Sequence, residues 1–219
     1  MLAGEHSGDK IGAKLINQLK KYSNLEIVGV GGPAMEKAGL KSIIPFDELQ
    51  VMGLVEPLLK LRRLLKLRKK ISDFFIENEI DYFFGIDFPD FNMGIYKNLR
   101  SAKIKNVQFV SPSVWAWRKG RAKKFKFVDY MLCLFPFELD YCKEVNKGAL
   151  CIGHPLLTNK NLYTGGKEDE LICLLPGSRK SEIEHHLPVM IKSFKLFSEN
   201  TKFKAIIPAY DQATLELIN

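Results

Sequence analysis

Short runs rich in β-branched and aromatic residues recur along the chain at residues 25–30, 81–86, 106–110, 130–135 and 149–152, and most are separated by stretches with helical spacing. Strands that alternate with helices predict an α/β fold, a parallel sheet wrapped by helices. Residues 1–3 read as the tail of one more strand, and the helix after them keeps Ile11, Leu15, Ile16 and Leu19 on one face. Between residues 158 and 169 the pattern fails, because TNKNLYTGGKED is polar, contains glycine and has no apolar period. This is the expected linker between a first domain at 1–157 and a second at 170–219, in which residues 171–175 read as a strand, 176–179 as a turn, 182–199 as a helix and 203–208 as a strand, with Asp211 capping a further helix. Two strands are few for a doubly wound sheet, so the second domain is expected to be only the start of a longer one.

The composition, 46% hydrophobic and 26% charged over 219 residues, is that of an ordinary globular protein. Cys133, Cys142, Cys151 and Cys173 have neither CxxC nor zinc-finger spacing and read as reduced core thiols. The absence of a long apolar run and of a signal-peptide pattern leads to the expectation of a cytoplasmic protein. A net charge of +8 suggests an anionic partner, and it is concentrated in two places. Residues 57–70 hold seven Lys/Arg and no acid, and residues 118–126 hold six. On a helical wheel Leu58, Leu61, Leu64, Leu65, Leu67 and Ile71 share one half, with Arg62, Arg63, Lys66, Lys69 and Lys70 on the other. Such a helix either packs on the core with its charges in water or lies on an anionic membrane surface; a nucleic-acid-binding module is the alternative of a different class.

Candidate chemistry sits where predicted strands end. Gly4-Glu5-His6-Ser7-Gly8-Asp9 is a strand-turn-helix junction whose free N–H groups attract an anion or a polar group, unless Ser7 or Asp9 simply caps the helix. In GIDFPDFN (85–92) two carboxylates, Asp87 and Asp90, stand just past a hydrophobic strand; Asp87, flanked by Phe88 and Phe91, is the better general base, and the alternative for Asp90 or Asn92 is a cap on the next helix. Ser111, Trp115, Trp117 and Arg118 in VSPSVWAWR (110–118) bring indoles beside hydroxyls and a basic run, and the indoles serve equally well as core filler. His154 in GHP (153–155) ends the last strand of the first domain. Gly177, Ser178 and Arg179 in LLPGSR (174–179) form a cradle suited to a diphosphate.

Taken in order, AGEHSGD (3–9), GVGGPAMEKAGL (29–40), VMGLVEPL (51–58), GIDFPDFN, VSPSVWAWR, LFPFE (134–138), GHP and LLPGSR resemble the lipid-A-disaccharide synthase family over nearly the whole chain. The resemblance implies a GT-B fold with a Rossmann-like acceptor domain first and a UDP-sugar domain second. It implies an inverting glycosyltransferase that moves a 2,3-diacylglucosamine unit from UDP to 2,3-diacylglucosamine 1-phosphate and forms a β-1,6 disaccharide, with no metal or other cofactor. Asp87 matches the family's essential acid and Arg179 its essential arginine, while Glu5 and Ser7 match its first turn. Leu58, Leu61, Arg62, Arg63, Lys66 and Lys69 would then meet the inner-membrane surface, in a peripheral protein that dimerises in its full-length form and binds no nucleic acid. Family members continue past this point, so the chain alone is expected to be poorly active, and the clipped first strand suggests a few residues before Met1. Another GT-B sugar-nucleotide enzyme is the alternative within the same class.

Overall fold

The computed structural model describes residues 1–50, 57–112, 125–144, 146–155, 170–177, 180–209 and 212–218; for Gln50 and residues 57–60 it describes the backbone alone. They fall into two compact units, Met1–Lys160 and Asn161–Asn219. Elements are numbered in chain order.

In the first unit five parallel strands lie in the order β1 (Leu2–Ala3), β4 (Tyr82–Ile86), β5 (Lys105–Phe109), β6 (Tyr130–Cys133) and β7 (Ala149–Cys151). A parallel pair, β2 (Val28–Gly29) with β3 (Lys41–Ser42), joins the other side of β1 through a bridge from Leu2 to Val30. The pairings therefore run β3-β2-β1-β4-β5-β6-β7, and the direction of winding reverses between β1 and β4, the place where open α/β sheets bind ligands. This is the Rossmann-like α/β class expected from the sequence.

Both faces of the sheet are covered. Leu2, Phe83 and Met131 pack with Phe75, Ile95, Tyr96 and Leu99 on one side, and Ala3, Ile86 and Phe109 pack with Ile16 and Met35 on the other. Burial on both sides is why β4 and β6 read as continuous apolar runs. β7 differs because it is the edge strand: Leu150 and Ile152 are exposed, as is Cys151. The cysteine expectation is corrected accordingly. Cys133 and Cys142 are buried thiols, whereas Cys151 and Cys173 face solvent.

The helices are α1 (His6–Leu19), α2 (Pro33–Ala38), α3 (Asp47–Gln50), α4 (Pro57–Glu77), α5 (Pro89–Ser101) and α6 (Pro136–Lys143). Asp9 caps α2 rather than its own helix: its carboxylate, 4% exposed, accepts the Ala34 N–H at 3.0 Å and the Met35 N–H at 2.9 Å. The N-cap of α1 is Glu5, which makes no side-chain capping bond.

Basic α4 divides its leucines. Leu67, Ile71 and Phe75 are buried and Leu64 half-buried, while Leu61 (53% exposed) and Leu65 (49%) stand in water beside Arg62, Arg63, Lys66, Lys69 and Lys70. The single apolar half expected from the wheel is thus shared between core and solvent. Arg68 fastens the helix to α5, its guanidinium 5.2 Å from the Phe91 ring centroid and donating to Asp90 O at 3.1 Å. Burial pulls the Arg68 pKa down, and the Asp90 charge opposes that shift.

The second unit is a β-α-β piece. Parallel β8 (Leu171–Cys173) and β9 (Lys204–Ile206) are linked by α7 (Lys180–Ser198) and followed by α8 (Gln212–Ile218). Asp211, expected to cap α8, lies outside the described residues.

Candidate functional site

Because all strands of the first unit are parallel, their carboxyl ends share one edge of the sheet, and the motifs that follow them collect there. β1 leads into Gly4 and Glu5, β4 into Asp87 and Phe88, β5 into Val110 and Ser111, β6 into Leu134 and Phe135, and β7 into Gly153 and His154. β1 and β4 are neighbours, so the α1 turn and Asp87 flank the switch point. They approach closely: a Cβ on Gly4 would fall 2.5 Å from the Phe88 ring, so glycine is required there.

Glu5 and Ser7 are exposed at the start of α1, where the backbone N–H groups have no side-chain cap. Asp87 is half-buried, and its carboxylate has no hydrogen bond or ion pair among the described residues. Asp87 (φ 51°), Phe88 (φ 50°) and Val110 (φ 73°) all adopt left-handed backbone. Glu79 and Lys103 do so too, but just beyond the ends of α4 and α5, where helices commonly finish this way. At a strand exit, and for a β-branched valine above all, the conformation is strained, costing of order 1–3 kcal/mol per residue.

A buried polar network lies beneath this strained turn. Asn92 Nδ2 donates to Asp87 O at 2.8 Å. Gln108 Nε2 donates to Val110 O at 2.9 Å, with Asp87 O at 3.2 Å and Phe109 O at 3.3 Å also in reach. Tyr96 Oη donates to Gln108 Oε1 at 2.6 Å. Burial raises the Tyr96 pKa well above its ordinary value, which keeps the phenol a donor. Gly85 makes room for the network, since a Cβ there would sit 2.1 Å from Tyr96 Oη and 2.6 Å from Asn92 Nδ2.

α5 begins at left-handed Phe88 with no side-chain cap, so neither Asp90 nor Asn92 plays the capping part expected of it. Asp90 is exposed in the first turn. The Ser111 hydroxyl is buried without a hydrogen-bond partner in good geometry among the described residues, next to the Cys133 and Cys142 thiols. The Cys142 sulfur and burial together push the Cys133 thiol up. Glu138, in the LFPFE motif, is structural: its carboxylate accepts the Leu134 and Phe135 N–H groups at 2.9 and 3.0 Å. His154 is half-buried with its ring 5.7 Å from that of Phe135, and Lys14 of α1 donates to Pro155 O at 3.2 Å, so the turn after β7 reaches α1.

Trp115, Trp117, Arg118, Ser178 and Arg179 lie outside the described residues, as does the side chain of Leu58. In the second unit Gly177 has φ 125°, and His186 Nδ1 meets Pro176 O at 2.9 Å; a carbonyl can only accept, so Nδ1 carries the proton. Gln108, Tyr96 and His186 escaped the sequence reading. The one signal for the first was a pair of amides, Asn106 and Gln108, inside an otherwise apolar buried strand.

A family model described as Lipid-A-disaccharide synthetase matches residues 1–218. Among curated relatives, the chain is similar to proteins named lipid-A-disaccharide synthase from Francisella philomiragia subsp. philomiragia, at 43% identity over 223 residues, and from Francisella tularensis subsp. tularensis strain WY96-3418, at 42%. In both matches 95% of this chain is covered, and the chain spans 59% of the relative's length.

Proposed function

The chain belongs to the lipid-A-disaccharide synthetase family, and from that premise we propose that it forms the acceptor-side portion of an inverting hexosyltransferase of lipid A biosynthesis. The donor is UDP-2,3-diacylglucosamine, the acceptor 2,3-diacylglucosamine 1-phosphate, and the products are the β-1,6 disaccharide 1-phosphate and UDP. The observation that carries the reading is the half-buried Asp87 carboxylate, without a hydrogen bond or ion pair among the described residues, held at the β1/β4 switch point beside the uncapped start of α1. Asp87 takes the proton from the acceptor's primary hydroxyl as that oxygen attacks the anomeric carbon and the bond to UDP breaks. Glu5 and Ser7, at the open end of α1, bind polar groups of the sugars, with Asp90, Ser111 and His154 along the same edge. Trp115, Trp117 and Arg118 complete the acceptor side, while Gly177, Ser178 and Arg179 hold the departing diphosphate.

Both substrates carry acyl chains, and the reading includes a cytoplasmic setting peripheral to the inner membrane. Support comes from exposed Leu61 and Leu65 framed by Arg62, Arg63, Lys66 and Lys69. Among the described residues no helix is long and apolar enough to cross a membrane. The division at residues 158–169, a homodimer in the full-length form and low turnover by these 219 residues alone belong to the same proposal.

The residue assignment is tested in a chimera that joins these residues to the remaining C-terminal portion of the Francisella philomiragia relative. Asp87→Asn is expected to lower turnover at least a hundredfold, within the range removed with a general base, and His154→Ala far less. Near-normal turnover in Asp87→Asn with its loss in His154→Ala would transfer the role of base to the histidine.

A further inference from the structure

The turn that carries Asp87 is held far more firmly than a surface turn needs. Its N–H donates to Phe109 O at 2.8 Å, and its C=O accepts from Asn92 and Gln108 at 2.8 and 3.2 Å. Both peptide groups around the Asp87 Cα are thereby fixed, and among the described residues the carboxylate is the part that makes no hydrogen bond or ion pair. Asn92, Gln108 and Tyr96 are each 0% exposed, so three polar side chains have been taken wholly out of water around one carbonyl. A buried amide without good partners costs roughly 1–3 kcal/mol, whereas apolar side chains of similar shape would pack at little cost. Packing alone therefore gives no reason for the trio, and a strained strand exit persists only where its surroundings over-determine it.

We propose that Gln108, Asn92 and Tyr96 are positioning residues for the reaction: the two amides grip the Asp87 carbonyl, Tyr96 locks Gln108, and the left-handed turn so held sets where the Asp87 carboxylate stands. The proposal rests on the reading of Asp87 as the base. None of the three need touch substrate, and their effect passes through Asp87. A misplacement of about 1 Å at a reacting group can cost of order a hundredfold in rate.

The test uses the chimera described above, with Gln108→Met to remove both donors at similar size and Tyr96→Phe to remove one hydroxyl from an otherwise unchanged core. Rates are taken per folded molecule, well below the melting temperature, alone and with Asp87→Asn, and the pH dependence of kcat is recorded. Gln108→Met is expected to lower kcat about ten- to a hundredfold, to leave KM for both substrates within about threefold and to move the acid limb of the kcat profile. Tyr96→Phe should show the same signature more weakly. On top of Asp87→Asn, Gln108→Met should add less than about twofold, the non-additivity of groups that act as a unit. An equal loss in both backgrounds, or a lower plateau with an unmoved acid limb, would make the trio merely structural and overturn the proposal while leaving Asp87 as base. Near-normal turnover by Asp87→Asn alone would remove the base reading and this proposal with it.

Discussion

Replacing Asp9 by alanine is expected to loosen the junction between α1 and α2 rather than the end of α1. The carboxylate reaches across 25 and 26 positions of sequence to accept the N–H groups at the second and third positions of α2, doing from a neighbouring helix what an N-cap side chain does locally. α2 starts with Gly32 and Pro33 and has no side-chain cap of its own, so nothing else among the described residues replaces those bonds. A hydrogen bond to a charged group contributes about 1.5–3 kcal/mol, and two that share one carboxylate give about 3–5 kcal/mol in all. Near 2–4 °C per kcal/mol for a domain of this size, Asp9→Ala should lower Tm by roughly 6–20 °C. Asp9→Asn keeps one acceptor oxygen and should lose about half as much. Urea titration should show a lower midpoint at an unchanged m-value, since the surface exposed on unfolding is nearly the same. A shift worth less than about 1 kcal/mol in Asp9→Ala would refute the reasoning, because a buried Met35 N–H and a part-buried Ala34 N–H left without acceptors cannot be that cheap.

Of the four thiols, exposed Cys151 and Cys173 should react promptly with a thiol reagent in the native chain, and buried Cys133 and Cys142 only after denaturant is added; four fast thiols would contradict the packing of α6 on β6. Gly85→Ala should destabilise by about 2–5 kcal/mol, through overpacking and a displaced Tyr96 hydroxyl, read as a fall in the urea midpoint. Changing both Leu61 and Leu65 to Asp should leave stability within about 1 kcal/mol, as both are half-exposed, yet weaken binding to anionic vesicles at least tenfold, since each leucine buried in lipid contributes about 1.5–3 kcal/mol. Unchanged sedimentation with vesicles would move the contact surface off α4.

The parallel sheet was legible because its central strands are buried on both faces, so β4 and β6 announce themselves as apolar runs, and β5 as a short strand pattern with Val107 and Phe109 between its two amides. β3 did not, since Lys41 and Ser42 are both exposed and only backbone pairing makes them a strand. β7 was legible as a strand but not as an edge, because order in a sheet depends on distant partners. The same limit explains Asp9, whose partners on α2 are far away in sequence, so that a local reading assigns it to the nearest helix. The candidate site divides similarly. Asp87 could be picked out by its place after an apolar strand, whereas the grip of Gln108 and Asn92 on its carbonyl depends on the register of β5 against β4 and on the left-handed turn, neither of which has a signature in residue spacing.

The measurement that bears most directly on the account is product formation. The chimera would be incubated with UDP-2,3-diacylglucosamine and 2,3-diacylglucosamine 1-phosphate in mixed micelles, with UDP release and lipid products followed together. UDP and the β-1,6 disaccharide 1-phosphate are expected in equal amounts. A folded chimera that releases no UDP and forms no disaccharide would contradict the proposed reaction and direct attention to other sugar nucleotides.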